Sequence, residues 1–204
     1  MQEELRGELY LYHLLRRLLL GEPTREVINE IAALPVPPGN DLPTQGIALM
    51  INAVRSNAPR LDEWLGELAV EYARVFIGPI KPLAVPYASF YLSESHQLMT
   101  EETIDVRRRY LEAGMALNEI YSVPDDHVGI ELEFLYYLTH ETTTLQQQER
   151  HAEASILETM KTDFLSNHMA HWVPDFAGQI ASSTNEDFYK GVALLLESLF
   201  RDPV

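Results

Sequence analysis

The chain contains no cysteine, which excludes disulfide bonds, thiolate metal ligands and a cysteine nucleophile. It also has no long apolar run. The densest one, "LLRRLLLG" at residues 14–21, is interrupted by Arg16 and Arg17 and falls short of the roughly 20 apolar residues that a membrane-spanning helix needs. The first ten residues contain early acids instead of a basic region and an apolar core, so we expect no secretory signal. These absences predict a cytoplasmic globular protein without stable membrane insertion.

Basic residues are scarce. The 15 Lys and Arg face 31 Asp and Glu, which gives a formal net charge of -16. Such a charge repels nucleic-acid phosphates and anionic lipids and attracts cationic partners. The same acidity also fits a protein that is kept dispersed by like charge alone. The sequence therefore predicts no nucleic-acid partner and leaves a basic peptide partner open.

The common enzyme signatures are missing as well. The sequence has no Gly-x-Ser-x-Gly elbow, no glycine-rich phosphate loop with its lysine and no Gly-x-Gly-x-x-Gly. None of the seven histidines has a glutamate three residues before it, as a di-iron bundle would require. His168 and His171 lie one helical turn apart, but no third ligand stands at a compatible spacing. We predict that the protein is not an enzyme, with no catalytic residue, no metal and no cofactor.

What is present is a helical spacing of apolar residues along nearly the whole chain, for example at Leu5, Leu9 and Tyr12. No segment has a strand pattern. The sequence predicts an all-α helical bundle that forms one domain over residues 1–204, with Thr44 and Asp62 as caps of the third and fourth helices. The predicted helices cover about 3–20, 24–33, 44–56, 62–76, 101–118, 126–147, 149–167, a short stretch after Pro174, and 185–200.

A proline-rich loop is predicted at about 77–99. Its first part, "IGPIKPLAVPYASFYLSES", contains three prolines. Because proline removes a donor and favours extended backbone in the residue before it, Val85 and Pro86 are expected to hold Tyr87 in a fixed loop instead of a helix. Loops of this length in compact helical proteins are often functional.

The stretch "VPDDHVGIELEF" at 123–134 places two carboxylates and a histidine at the predicted start of a helix. Asp125 or Asp126 is suited to cap that helix, because its charge also complements the helix dipole. His127 titrates near neutral pH and suits either an acid/base pair or an adaptable polar contact. A catalytic pair would lack a nucleophile and an orienting third group. Capping and recognition of another molecule are therefore the favoured interpretations.

Four segments resemble the TorD/DmsD/NarJ chaperones in the same order along the chain. They are "EYARVFIGP" at 71–79, "PYASFYL" at 86–92, "PDDHVGIELEFLYYL" at 124–138 and "FLSNHMAHWVPDFAGQI" at 164–180. In that family the first three correspond to an aromatic-Leu-Phe type stretch, a Pro-aromatic-x-Ser loop and a Pro-x-Asp-His segment that opens a Glu-Leu-rich helix. Four motifs in register make the resemblance specific.

The resemblance implies an all-helical, cytoplasmic chaperone that binds the twin-arginine signal peptide of a molybdopterin oxidoreductase subunit. The chaperone would also hold the folded part of that catalytic subunit until its cofactor is inserted. Val75 stands where leucine is common, Tyr87 stands where some members have tryptophan, and Asp125 adds a carboxylate. The residues implied to bind the peptide are Tyr72, Val75, Phe76, Pro86, Tyr87, Ser89, Asp126, His127 and Glu131.

Two alternatives remain open at this stage. One is a NarJ-like assembly factor for a molybdoenzyme that is not exported, and the other is a guanine-nucleotide-binding switch or weak GTPase, although the chain lacks a recognisable phosphate cradle. The protein is expected to be a monomer or a homodimer. If one groove binds the peptide, Phe76, Tyr87 and His127 should converge, with the loop at 77–99 near the helix that starts at about 126.

Overall fold

The computed structural model describes residues 2–115 and 123–201, and within these ranges the chain is helical without a named strand. The predicted all-α class is therefore confirmed. The helices are α1 (Gln2–Leu20), α2 (Arg25–Ala33), α3 (Leu42–Asn57), α4 (Leu61–Tyr72), α5 (Ala88–Leu92), α6 (Glu101–Glu112), α7 (Val128–Gln147), α8 (His151–Asn167), α9 (Val173–Ser183) and α10 (Asp187–Arg201). No helix in the described ranges is both long and apolar enough to cross a bilayer.

The predicted helices are present, but two predicted caps are wrong. Asp41 caps α3, because its Oδ1 accepts a hydrogen bond of 2.8 Å from the backbone N–H of Thr44. Thr44 itself lies inside the helix. The next helix, α4, starts at Leu61, so Asp62 lies in its first turn and contributes charge near the positive end of the helix dipole.

Helix α6 ends earlier than predicted. It stops at Glu112, and Gly114 then adopts a φ of 80°, which is the left-handed conformation that commonly ends helices at glycine. The rest of the predicted extension, 116–118, lies outside the described residues. Helix α7 begins at Val128, two residues later than predicted.

The proline-rich loop is only partly irregular. Its start is a π-helical turn, Ala73–Ile77, that continues α4 and ends at Gly78. Its middle contains the five-residue helix α5, which the sequence did not predict. Tyr87 itself is extended, with φ of -129° and ψ of 128°, as predicted from the preceding Pro86.

The chain forms two compact units. The first, here called the α7–α8 unit, consists of Met1–Arg16 and Tyr87–Trp172. Its core contains Tyr110, Phe134 and Phe164, whose ring centroids lie 4.7 Å (Tyr110–Phe134) and 5.0 Å (Phe134–Phe164) apart. The Phe134–Phe164 pair is edge to face and the Tyr110–Phe134 pair is tilted, and buried aromatic pairs of this kind stabilise the helices that carry them.

The second, here called the α3–α10 unit, consists of Arg17–Pro86 and Val173–Val204. Trp64 packs edge-on against Phe188 at 5.9 Å, and the Tyr189 hydroxyl donates a 2.9 Å hydrogen bond to the carbonyl of Leu68. Gly46 and Gly191 let α3 and α10 approach closely, since a Cβ on Gly191 would lie 2.6 Å from the Gly46 carbonyl oxygen. The single domain expected over residues 1–204 stays a prediction.

Candidate functional site

The nine residues that the sequence singled out lie in both units. Five belong to the α7–α8 unit and four to the α3–α10 unit, and each group is described by itself. The first group is Tyr87, Ser89, Asp126, His127 and Glu131, and the second is Tyr72, Val75, Phe76 and Pro86.

Tyr87 and His127 form the centre of the first group. Their backbones make an isolated antiparallel bridge, and their rings meet edge to face at 5.1 Å. Burial raises the pKa of the Tyr87 hydroxyl, and the nearby Asp126 carboxylate raises it further by a smaller amount. The segment before α5 is therefore fixed to the segment before α7 by both backbone and side chains.

Asp126 caps α5, not α7. Its Oδ2 accepts a 2.8 Å hydrogen bond from the backbone N–H of Ser89, and its carbonyl accepts another of 3.0 Å from Ala88. Asp126 and Ser89 are fully buried, yet Asp126 Oδ1 and the Ser89 hydroxyl have no hydrogen-bond partner among the described residues. Two buried polar atoms without hydrogen-bond partners are unusual. Both atoms therefore have unused hydrogen-bonding capacity.

The cap of α7 is His127. Its Nδ1 accepts a 3.0 Å hydrogen bond from the backbone N–H of Gly129, which requires that this nitrogen carry no proton. Burial lowers the pKa of His127 to about 4, against the opposing effect of the Asp126 carboxylate. His127 is therefore a neutral acceptor at pH 7, and the prediction that Asp125 or Asp126 caps this helix is wrong.

Glu131 pairs with His168, a partner that the sequence did not predict. The distance from His168 Nε2 to Glu131 Oε1 is 2.6 Å, and both side chains are buried. Burial raises the pKa of Glu131, partly offset by His168 and by the indole of Trp172. Burial alone would lower the pKa of His168, but the Glu131 carboxylate outweighs it and the pKa is raised. The pair shares a proton and holds the end of α8 against α7.

Asp125 is bound by α6. Its Oδ2 accepts a hydrogen bond from Arg107 Nε, and its carbonyl accepts one of 2.9 Å from the Tyr110 hydroxyl. The Asp125 side chain is 3% exposed, whereas that of Arg107 is 46% exposed. Local spacing gave no signal for this pair, because its members lie 18 residues apart.

In the α3–α10 unit, Tyr72 and Phe76 belong to an aromatic cluster. Phe76 lies 5.1 Å from Tyr72, 6.2 Å from Phe176 and 5.8 Å from Tyr189, measured between ring centroids. The Tyr72 hydroxyl donates a 2.9 Å hydrogen bond to the carbonyl of Leu19. These contacts make both residues part of the core of this unit.

Val75 fixes the start of the proline-rich loop. Its carbonyl, in the π turn, accepts hydrogen bonds of 2.9 Å from both Leu83 and Ala84. Gly78 makes the reversal, with a φ of 65° and a backbone so close to Lys81 that a Cβ would lie 2.2 Å from the Lys81 oxygen. The loop is therefore tied back onto the turn that precedes it.

Of the nine predicted residues, eight are buried and Tyr87 is half-buried. Tyr87 is thus the member of the set with the most surface available to a partner. The predicted convergence of Phe76, Tyr87 and His127 in one groove stays a prediction. Among the described residues, no group of three His, Cys, Asp or Glu side chains is arranged to hold a metal ion.

Comparisons with known proteins place this arrangement in context. A family model described as the nitrate reductase delta subunit matches residues 40–178. The chaperone protein TorD of Vibrio parahaemolyticus is 31% identical over 147 residues, which are 72% of this chain and 66% of that protein. The TorD chaperone of Vibrio vulnificus is 27% identical over 199 residues, 95% of this chain and 90% of that protein. These relatives are named as chaperones, which is a non-enzymatic role.

A solved structure has a similar fold. It is that of an Archaeoglobus fulgidus protein described as a redox enzyme maturation protein. The TM-score is 0.53, the sequence identity is 21%, and the match covers 90% of both chains. At this identity the likeness concerns the fold.

Proposed function

Since the chain belongs to the nitrate reductase delta subunit family, we propose that it is a redox-enzyme maturation chaperone of the TorD type. It binds the twin-arginine signal peptide of a molybdoenzyme subunit in the cytoplasm and assists cofactor insertion before export. The TorD relatives support the chaperone role, and the missing enzyme signatures agree with it.

The observation that carries the peptide-binding proposal is the placement of Tyr87 beside Asp126. Tyr87 is half-buried and offers an aromatic face, and near it lies the fully buried carboxylate of Asp126, whose Oδ1 has no hydrogen-bond partner in the described part of the chain. A twin-arginine leader joins guanidinium groups to an apolar stretch. Tyr87 suits the apolar part, and a carboxylate is the preferred partner of a guanidinium. Because Asp126 is fully buried, the leader reaches it only when the residues around it move.

Replacement of Tyr87, the half-buried residue of this site, tests the peptide-binding proposal. We expect Tyr87→Ala to weaken binding of a fluorescent client leader by about 1 to 3 kcal/mol, since aromatic anchors dominate such interfaces. Fluorescence anisotropy measures the affinity. The matched control is Tyr136→Ala, a half-buried tyrosine of α7 outside the predicted set. Equal losses in both variants would contradict a specific role for Tyr87.

Asp126→Asn tests the charge at the same place. Asparagine can still accept the hydrogen bond from the Ser89 backbone, so circular dichroism should show unchanged helicity. Combined with His127→Leu, the change is expected to cost about 1 to 3 kcal/mol of leader binding. If the loss of binding were matched by a loss of fold, these residues would be structural only.

The matching family is described by a nitrate reductase subunit, and the second candidate is an assembly factor for a molybdoenzyme that is not exported. Such a factor binds its enzyme subunit whether or not a twin-arginine leader is present. Pull-down of the client subunit with and without its leader separates the two roles. If binding of the client subunit does not depend on the leader, the protein is an assembly factor and the export-proofreading role is wrong.

A further inference from the structure

Asp125 is a buried carboxylate that has a removable partner. Its side chain is 3% exposed and pairs with the guanidinium of Arg107, whose side chain is 46% exposed. The Tyr110 hydroxyl holds the backbone of Asp125 in place through its carbonyl. Asp125 is therefore a buried anionic group of the fold, and the cation that neutralises it, Arg107, lies at the surface.

The segment that supplies this cation has the composition of the proposed ligand. Three consecutive arginines, at 107–109, are followed by Tyr110 and by Leu111, which is 66% exposed. Guanidinium groups directly before an aromatic and an aliphatic residue are also what a twin-arginine leader presents. Asp125, moreover, directly precedes Asp126, the carboxylate placed in the peptide site above.

We propose that Asp125 is a guanidinium-binding site, which Arg107 fills in the free protein and an arginine of the leader fills in the complex. The proposal rests on the proposed function, because it assigns a leader arginine to a named carboxylate. Arg107 is the internal competitor. It keeps Asp125 neutralised until the leader arrives and lowers the affinity for peptides that cannot replace its guanidinium.

Replacement of Arg107 by a leader arginine is favoured over release of Arg107 without a replacement, for a physical reason. Removing one partner of a buried ion pair leaves an uncompensated charge, which is strongly unfavourable. Asp125 therefore releases Arg107 readily only to another cation. A planar guanidinium matches the carboxylate better than an ammonium does, because it offers two parallel N–H donors. The half-exposed Arg107, once released, regains its hydration.

Chemical rescue tests the site without a leader. Arg107→Ala should lower Tm, and millimolar methylguanidinium should raise it again towards the wild-type value. Arg108→Ala is the matched control, since Arg108 is the next residue of α6 and is 64% exposed against Asp105. Neither Arg108→Ala nor the double variant Arg107→Ala with Asp125→Asn should respond. Rescue of all three variants, or of none, would overturn the guanidinium site.

Leader affinity tests the exchange. Arg107→Gln should tighten binding of the twin-arginine leader roughly tenfold, because the competitor is gone. The gain should vanish for a leader in which both arginines are glutamine. If wild type binds the leader and Arg107→Gln does not bind it more tightly, the exchange is wrong while the proposed function stands. If wild type does not bind the leader at all, the proposed function itself fails, whereas the rescue result still decides the site.

A wild-type measurement covers the case in which Arg107 variants do not fold. The Nε–H resonance of Arg107, assigned by through-bond NMR experiments on the wild-type protein, should be shifted and protected by Asp125 in the free protein. Adding the leader should move it to the position of a solvent-exposed arginine. A resonance that stays unchanged at saturating leader would overturn the exchange.

Discussion

His127 combines three roles in one side chain: it caps α7, packs against Tyr87 and lies beside the carboxylate of Asp126. The first role depends on a neutral imidazole, whereas the nearby carboxylate favours the protonated form. Protonation would place a hydrogen on Nδ1, the atom that accepts from Gly129. The stability of the site is therefore linked to pH through this residue.

The sign of this linkage can be worked out. The pKa of His127 falls from 6.5 to about 4 on folding, so the unfolded chain binds more protons in this window. The free energy of unfolding should then decrease as pH falls from 6.5 to 4, by up to about 3 kcal/mol from this group. His127→Asn, which keeps a capping acceptor, should flatten the profile in urea titrations at several pH values.

His140→Asn serves as the control for the pH profile, because the His140 side chain is 55% exposed. It removes an exposed imidazole without touching the cap of α7, so a flattening is assigned to His127 only where it exceeds that of His140→Asn. The Glu131–His168 pair acts in the opposite direction, since the raised pKa values of both groups give stability that is lost as pH rises. A His127→Asn profile as steep as that of wild type would show that His127 does not titrate as described.

Local sequence rules located the polar residues before α7 but not their hydrogen-bond partners. They identified Asp126 and His127 as a polar pair at a helix start, which is correct. They assigned the cap to an aspartate because aspartate is the stronger capping residue. Asp125 and Asp126 instead turn towards Arg107 and Ser89, which are 18 and 37 residues away in sequence. Only the tertiary fold brings these partners together.

At the scale of helices, apolar periodicity was a reliable guide, and α1, α2 and α8 lie within two residues of their predicted bounds. The failures have physical causes. Helix α5 is too short to be stable alone, and its N-terminus depends on Asp126 from a distant segment. Helix α6 is shorter than its apolar pattern suggested because Gly114 adopts a left-handed conformation.

The contact between α3 and α10 gives a prediction about packing. At Gly191 a Cβ would lie 2.5 Å from Met50 Cγ and 2.6 Å from the Gly46 oxygen, so Gly191→Ala must push the helices apart. We expect a loss of about 1 to 3 kcal/mol in the free energy of unfolding, as for other overpacked cores. Urea denaturation followed by circular dichroism measures it.

Gly66 in α4 is the matched control, because nothing lies within 4 Å of its added Cβ. Gly66→Ala should stabilise the protein by up to about 1 kcal/mol, since alanine is the better helix former. The same chemical change is thus expected to have opposite signs at two helical glycines. A stabilising Gly191→Ala would mean that α3 and α10 separate without cost.

For the molecule as a whole, the net charge of -16 predicts that the rate of association with a leader depends on salt. Association with an arginine-bearing leader should slow as salt rises, because the Debye length shrinks to about 8 Å near physiological ionic strength. Dissociation should change much less, since burial of the leader's apolar part is not screened. Stopped-flow kinetics at increasing salt concentration measures both rates.

A leader with glutamine in place of both arginines is the control for salt. It should retain residual affinity and lose most of the salt dependence. An association rate indifferent to salt would show that the acidity serves only solubility.

At this scale the four motifs proved the most informative part of the sequence, since the family they indicated is confirmed by the match over residues 40–178. The packing within each unit depends on contacts between residues that are distant in sequence, which no local pattern encodes.

The π turn at Ala73–Ile77 has a consequence for how such a chain can evolve. The N–H of Gly78 bonds to the carbonyl of Ala73, five residues back, where an α-helix would use the fourth. A π turn is an α-helix with one residue inserted. The end of α4 can therefore gain or lose a residue without shifting the register of the helix before it. Insertions and deletions among homologues should be tolerated here, at the entrance to the proline-rich loop, more readily than in the middle of α4.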